Sequence, residues 1–347
     1  MDLNERKKLI EEVGEEIITE EELEELLEKK DHPVAYDGFE PSGQAHIAFG
    51  VYRAMNLKKM IKAGVRFKLL LADWYAWIND KMGGDLDKIQ KVGEYFIEVW
   101  KAAGVPMDKV EILWASELMN QDYWKTVLKI AKNHTLNRTQ RGLKIAGRES
   151  TGKNPAAWVF YPSMQVADIF QLDVDICQLG QDQRRANMLA RDVAPKIGEE
   201  KPVTISHHML MGLKSESEDE KMSKSKPSTA IYVHDSEEEI WDKIEGAYCP
   251  AKQTEDNPIL DYCEHLIFRS FDKMKIERKD EYGGNMKFEN YSELEKKFED
   301  GELHPLDLKK AVSDYINRLV KPIREHFQED EKAKELYDFI KKQEITR

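Results

Sequence analysis

The chain has 347 residues, a hydrophobic share of 41%, a charged share of 34% and a formal net charge of −13, the profile of an ordinary globular protein long enough for two domains, each with its own core. No run of about 18 apolar residues is present to span a bilayer, no secretory signal pattern opens the chain, and Cys177, Cys249 and Cys263 are too few and too scattered for a disulfide framework or a zinc ribbon. These features predict a cytoplasmic protein with reduced thiols, and the net charge taken alone argues against a polyanionic partner.

Residues 1–30 hold twelve acidic and five basic side chains, which predicts a helical, largely solvated acidic segment over residues 1–32. "PVAYDGF" (Pro33 to Phe39) then reads as a strand, "PSGQA" as a tight turn, and Val51 to Gly64 as a helix closed by glycine. Val65 to Asp80 begins as a strand whose apolar run Leu69-Leu70-Leu71 predicts burial on both faces, completing a βαβ unit. A helix over Lys88 to Gly104 and a strand over Val110 to Leu118 repeat the alternation. Helical material then interrupts it, and the window Tyr123 to Lys153 sets eight basic side chains against Glu149 alone. Such a run is either a solvated helical face or a footprint for a phosphate backbone. The strand "VDICQLG" (Val174 to Gly180), a helix over Gln183 to Lys196 and a strand over Lys201 to Leu210 resume the pattern.

The expected architecture is therefore α/β: a doubly wound, parallel-sheet, Rossmann-like domain over residues 33–212 with a helical insertion at about 119–160. A polar, Pro-ended loop and linker follow over 213–234, then an all-α carboxyl-terminal domain over 235–347, opened by the Asp/Ser cap and acidic first turn of "HDSEEEIWDKI". Ligands in such a domain sit beyond the carboxyl ends of the strands.

His46 follows the turn "PSGQA" at the mouth of a helix, where unpaired backbone N–H groups favour a phosphate. A lone histidine there is more often a turn or cap residue. Lys221, Lys224 and Lys226 in the later loop are point charges suited to a polyphosphate, and that loop can return beside the first turn. "PSGQAHIAFG" resembles the first signature of class I aminoacyl-tRNA synthetases, and "KMSKS" is identical to their second. "AYDGFEPSG", "LLLADWYAWINDKMGGDL", "YPSMQVADIF", "GQDQRRANMLARD", "AYCPA" and "GELHPLDLKKAV" extend the likeness, from about Val34 to about Phe327, to tyrosyl-tRNA synthetases of the archaeal and eukaryotic type.

The resemblance implies an enzyme that activates L-tyrosine with ATP and transfers it to the 3′ end of tRNA(Tyr), with Mg²⁺ arriving on the nucleotide and no protein-held metal; His207-His208 reads as strand or loop structure rather than a zinc site. It implies Tyr36 and Asp168 at the substrate phenol, and Tyr161, Gln165 and Gln183 at the α-ammonium group. The spacing of Tyr161 and Gln165 taken alone says only that they share a helix face. ATP would meet Gly43, His46, Ala48, Lys221, Met222, Ser223, Lys224 and Ser225, with His46, Lys221 and Lys224 catalytic. The basic window would supply acceptor-stem contacts through Arg138 and Arg141, joined by Arg184, and much of a homodimer interface. Tyr282, His304 and Asp307 would read an anticodon base, which makes residues 235–347 an anticodon-binding domain.

Two departures stand out. Ala48 and Phe49 replace Gly and His of the first signature, which predicts a slight shift of the adenine. The acidic run "SESEDE" before Lys221 is expected to pair with the lysine loop. Three rivals remain: a tryptophanyl-tRNA synthetase, since a carboxylate accepts from an indole N–H as well as from a phenol; a nucleotidyltransferase without RNA; and a synthetase-like protein without catalysis.

Overall fold

The computed structural model describes residues 1–145, 155–214 and 229–343. Six strands form its main sheet: β1 (Glu16–Ile18), β2 (Val34–Phe39), β3 (Arg66–Leu71), β4 (Val110–Trp114), β5 (Ile176–Gly180) and β6 (Val203–His207), in the order β1-β6-β5-β2-β3-β4. Strands β2 to β6 run parallel. The chain winds outward from β2 through β3 to β4, then returns to the other side of β2 for β5 and β6. The β2/β5 boundary, where Tyr36 lies opposite Cys177, is the topological switch point. All five residues of β5 and of β6 are buried, as expected of strands covered on both faces.

Alternation along the strands divides the interior in two. Phe67, Leu69 and Leu71 of β3 face one core, while Leu70 faces the other with Tyr36 and Leu179. The first core is continuous from Ile10, through the helix Leu86–Ala102, to Val312, Phe327 and Ile340 of the carboxyl-terminal helices. That corrects the expectation of one core per domain: the sheet, not the domain boundary, separates the two cores. Within this core, Ile89, Val92, Tyr95, Phe96, Val99 and Trp100 line one face of the 86–102 helix at spacings of three and four. Each contributes about 1.5–3 kcal/mol by leaving water. The second core holds Tyr123, Val127 and Ile130 of the helix Gln121–Lys132 against the helix Tyr161–Gln171.

The acidic amino-terminal segment also departs from expectation. It is not only helical and solvated: between its helices Leu3–Glu11 and Glu20–Lys29 lies β1, antiparallel to β6. Ile10, Val13, Leu23 and Leu27 are buried, and Arg6 donates to the backbone carbonyls of Ala63, Leu27, Lys30 and Asp31. The surplus charge is spent partly on ion pairs with the sheet domain, Glu12 with Lys59 and Glu22 with Arg191.

The carboxyl-terminal part is mainly helical, with the helices Glu237–Glu245, Pro258–Tyr262, Tyr291–Glu299, Pro305–Glu329 and Glu331–Lys341. The predicted cap at its start is Ser236, which forms a capping box with Glu239. It is not all-α, however. The short runs β7 (Met274–Ile276) and β8 (Met286–Phe288) pair antiparallel, with Met274 and Ile276 buried and Lys275 exposed between them.

Candidate active site

Beyond the carboxyl ends of β2 and β5 opens a cavity of about 370 Å³, lined among others by Tyr36, Glu40, His46, Ala48, Tyr161, Gln165, Asp168, Gln183 and His208. The structure thus brings together all five residues expected at tyrosine and two expected at ATP. Gly43 stands in the turn leading to His46, and its φ of +113° is the reason for glycine there. Lys221, Met222, Ser223, Lys224, Ser225 and the acidic run before them lie outside the described residues. At the base of that loop Leu213 N–H donates to Thr229 C=O at 2.9 Å.

At the closed end, Asp168 is 2% exposed. Its carboxylate accepts from Tyr75 Oη at 2.6 Å and from Tyr123 Oη at 2.8 Å. Burial pushes this carboxyl up to about 7, against the pull of the two hydroxyls. Tyr36 is buried beside it, and burial followed by the Asp168 charge raises its phenol, which therefore keeps its proton as a donor. Sequence reasoning missed Tyr75 and Tyr123 as members of this group. Tyr75 had a signal, its place just past the carboxyl end of β3; Tyr123 had none beyond the start of the basic window.

At the other end, Gln165 Nε2 donates to Gln183 Oε1 at 2.9 Å. Tyr161 donates its hydroxyl proton to Glu40, and Asn79 Nδ2 donates to the same oxygen at 2.7 Å. The Tyr161 ring meets Tyr75 edge to face at 4.8 Å. Glu40, quoted in the signature region but assigned no part there, adds a carboxylate to this end. The site is therefore bipolar, with a buried acid among hydroxyls at one end and amides with a carboxylate at the other.

His46, expected at the phosphates, lines the cavity at the mouth of its helix. Phe49 N–H donates to His46 Nδ1 at 3.3 Å, which leaves the ring proton on Nε2. Phe49 is buried against Phe96, Trp100 and Phe39 with centroids 4.2, 5.1 and 5.3 Å away, so an aromatic core contact occupies the signature's fourth place. A polar ring there would lose a partner on burial. Below lies a buried network: Arg53 pairs with Asp37 at 2.6 Å and donates to Gln178 Oε1 at 2.6 Å, and Gln178 Nε2 lies 3.0 Å from His207 Nδ1. It ties β2, β5 and β6 together where they meet the cavity.

His208 continues the rim. Its Nε2 lies 2.6 Å from Asp261, and the His265 ring stacks on it at 3.9 Å and 14°. Among the described residues these three bring ligand-type atoms within 4.8 Å of one another. Both Nε2 atoms approach the same carboxylate oxygen, Asp261 Oδ1, that of His208 at 2.6 Å and that of His265 at 3.7 Å.

The residues expected at RNA are dispersed. Arg138 pairs with Asp192 at 2.7 Å, and Arg141 borders a surface hollow with Thr135, Asn137 and Gln140. Arg184 Nε donates to both carboxylate oxygens of Glu16, at 2.7 and 3.0 Å, a contact made possible by β1. Tyr282 is 62% exposed. Arg278 bonds Gly284 C=O and Glu302 C=O, holding the Tyr282 turn near the residues before His304. His304 caps the helix of Asp307 by accepting from Leu306 N–H.

Parallel strands with a cavity at their switch point, a histidine signature at a helix mouth and a bipolar small-molecule pocket are the arrangement expected of a class I synthetase core. The sequence profile described as tRNA synthetases class I (W and Y) matches residues 28–321. The tyrosine–tRNA ligase 1 (cytoplasmic) of Arabidopsis thaliana is 49% identical over all of this chain and 90% of its own length, and a Saccharolobus islandicus tyrosine–tRNA ligase is 43% identical over the whole of both. The tyrosyl-tRNA synthetase of Aeropyrum pernix superposes with a TM-score of 0.89 at 42% identity, over 98% of this chain and 99% of that one. That of Pyrococcus horikoshii, solved with L-tyrosine, gives 0.90 at 39% over 97% and 100%. The chain belongs to the class I tRNA synthetases, on their tyrosyl branch of archaeal and eukaryotic type.

Proposed function

We propose that this chain joins L-tyrosine to ATP in the described cavity and passes the tyrosyl group to tRNA(Tyr). The observation that carries this reading is the buried Asp168 with its ring of hydroxyls. A closed apolar end containing a carboxylate and the Tyr36 hydroxyl favours a ligand that brings a hydroxyl of its own. Asp168 already accepts from Tyr75 and Tyr123, but phenylalanine would leave the Tyr36 hydroxyl and the remaining lone pairs of that carboxylate without the partner a substrate hydroxyl supplies, an asymmetry for which tyrosine-activating enzymes are the standard case. Tryptophan offers an N–H to the same carboxylate but carries a larger bicyclic ring.

In the first step the tyrosine carboxylate attacks the α-phosphorus in line and pyrophosphate leaves. The nucleophile is already ionised, so the protein's work is alignment and charge stabilisation. Tyr36 and Asp168 hold the phenol; Gln165, Gln183, Tyr161 and Glu40 hold the ammonium group. His46, at the mouth of its helix, meets the phosphates, and Lys221 and Lys224 neutralise the leaving pyrophosphate. Mg²⁺ enters with the nucleotide. Glu40, Asp37 and Asp168 in the cavity each accept from protein donors, and Mg²⁺ would be carried in by the nucleotide rather than held by a cage of these carboxylates.

The second step uses RNA contacts spread over the molecule, Arg138 and Arg141 for the acceptor stem and Tyr282, His304 and Asp307 for the anticodon. Arg184 joins the acceptor contacts only if Glu16 lets it go. A homodimer explains the apolar side chains exposed in and beside the insertion: Leu128 at 63% and Phe160 at 44%, with Phe160 packed against Trp124 one turn from Leu128. No described helix is long and apolar enough to cross a membrane, and a cytoplasmic location agrees with the Arabidopsis relative's name. The test is ATP–pyrophosphate exchange with tyrosine, phenylalanine and tryptophan in separate reactions. Exchange with tyrosine alone is expected. Exchange with tryptophan would reassign the pocket, and none with any of the three would sink the reading.

A further inference from the structure

The last helix, Glu331–Lys341, has no part in the chemistry above, yet it lies two side chains from the phosphate-side signature. Three backbone groups next to His46 are fixed from outside the signature. Val233 N–H donates to Ala45 C=O at 3.0 Å, and Ile47 N–H donates to Ile231 C=O at 2.8 Å. Ala45 N–H donates to the hydroxyl of Tyr95 at 3.2 Å. Close approach makes this seam possible, since a Cβ on Gly50 would stand 2.5 Å from Val233 Cγ1.

Tyr95 has one proton to give, and its hydroxyl lies 2.8 Å from His234 Nε2. The oxygen already accepts from Ala45 N–H, and among the described contacts His234 Nε2 is the acceptor within reach of the hydroxyl proton, which assigns His234 as neutral with its proton on Nδ1. Above the imidazole lies the Tyr337 ring of the last helix, 3.7 Å away and within 22° of parallel, with Phe327 edge-on at 4.7 Å. Burial beneath these rings, aided by the charges of Arg324 and Lys341, lowers His234 to about 3.

We propose that the last helix is a positioning element of the ATP site. Its Tyr337 seals His234 in the accepting form, His234 orients the Tyr95 hydroxyl, and that hydroxyl holds the Ala45 amide and with it the seat of His46. Stripped of Tyr337, His234 meets water and titrates nearer its ordinary 6.5. A protonated ring donates Nε2–H to the Tyr95 oxygen instead, which leaves the Tyr95 proton without its acceptor and sets a second donor beside Ala45 N–H, so the hydroxyl turns and its hold on Ala45 weakens. This inference rests on the reading that His46 serves ATP.

The experiment uses the full chain and the variants Tyr95→Phe, Tyr337→Ala and Tyr337→Phe. Exchange kinetics are followed for ATP and for tyrosine between pH 6 and pH 8.5, alongside ATP affinity measured by tryptophan fluorescence without amino acid. Tyr95→Phe is expected to raise the KM and Kd for ATP roughly fivefold, the equivalent of one buried hydrogen bond, with the KM for tyrosine unchanged. Tyr337→Ala should do the same below about pH 6.5 and less at pH 8.5, as a ratio to wild type that cancels the titration of ATP itself. Tyr337→Phe, which keeps the ring, should restore wild-type values. If Tyr95→Phe and Tyr337→Ala lower only the melting temperature and leave ATP binding and its pH dependence as in wild type, the helix is a structural brace and the proposal falls. Wild-type protein that binds ATP without tyrosine-dependent exchange would overturn the proposed function instead, and the affinity arm still decides this inference.

Discussion

Replacing Tyr123 by Phe removes one oxygen from the closed end of the cavity and leaves the ring in its core. The lost hydroxyl stands 2.8 Å from Asp168 and 3.1 Å from the Tyr75 hydroxyl. A hydrogen bond to an ionised group is worth about 1.5–3 kcal/mol, and it is available only while Asp168 is charged. At 1.36 kcal/mol per pKa unit, its loss moves Asp168 from about 7 to about 8–9. The ionised fraction at pH 7 then falls from about one half to about one tenth or less, so kcat/KM for tyrosine should drop about 5- to 50-fold there and recover as pH rises. The assay is ATP–pyrophosphate exchange from pH 5.5 to 9.5, with the KM for ATP as the internal control. An acid limb in the same place as wild type, with a uniform loss at every pH, would refute the reasoning and reduce Tyr123 to a packing residue.

Asp168→Asn should trade activity for stability. Burial holds the proton on the folded carboxyl up to about 7, against an ordinary 3.8, so folding weakens as pH rises from 3.8 through 7. The cost is complete above 7, at most about 4 kcal/mol for about three units. The variant should melt higher than wild type at pH 8, lose that advantage below pH 4 and fail to activate tyrosine; a lower melting temperature at pH 8 would contradict this. His208 has the opposite sign: burial pulls it down, but the hydrogen bond and charge of Asp261, with Glu15, leave it raised above 6.5. Its contribution is full below 6.5 and fades as pH rises through the folded value, so His208→Gln should shift a urea midpoint more at pH 6 than at pH 9. Gly50→Ala forces a methyl to 2.5 Å from Val233 and 3.1 Å from Val99. Overpacking of that kind costs about 1–3 kcal/mol, to be read as a lower melting temperature with a raised KM for ATP; unchanged values would show that the seam yields.

Much of the candidate site was legible through the family resemblance, and regular elements with fixed periods then set its side chains on common faces. Tyr36 sits in the middle of a strand whose neighbours Tyr-Asp-Gly-Phe end at a turn, and Tyr161, Gln165 and Asp168 recur at four and three along one helix face. Other members were hidden for a physical reason: their role is defined by a partner far along the chain. Tyr75 and Tyr123 meet Asp168 across 93 and 45 residues; the place of Tyr75 past the end of β3 puts it near the site, but no neighbouring residue names Asp168 as its partner. Glu16 pairs with Arg184 across 168 residues, which is why Arg184 reads as a free cation in the sequence and as half of an ion pair in the fold.

The residues by themselves determined the alternation of strands and helices from β2 to β6 and the parallel α/β class, because periodicity and capping are properties of neighbouring residues, while the synthetase signatures and the tyrosyl branch came from the resemblance of the quoted motifs to a known family. Only the tertiary structure decided that the acidic segment lends the sheet an antiparallel edge strand, that the carboxyl-terminal helices share the first core instead of building their own, and that a β pair lies among them. It alone brought Tyr75 and Tyr123 to Asp168 and the last helix to within two side chains of Ala45. Burial and hydrogen-bond satisfaction are settled by whatever stands opposite a side chain in space. A chain places those opposites only when it closes on itself.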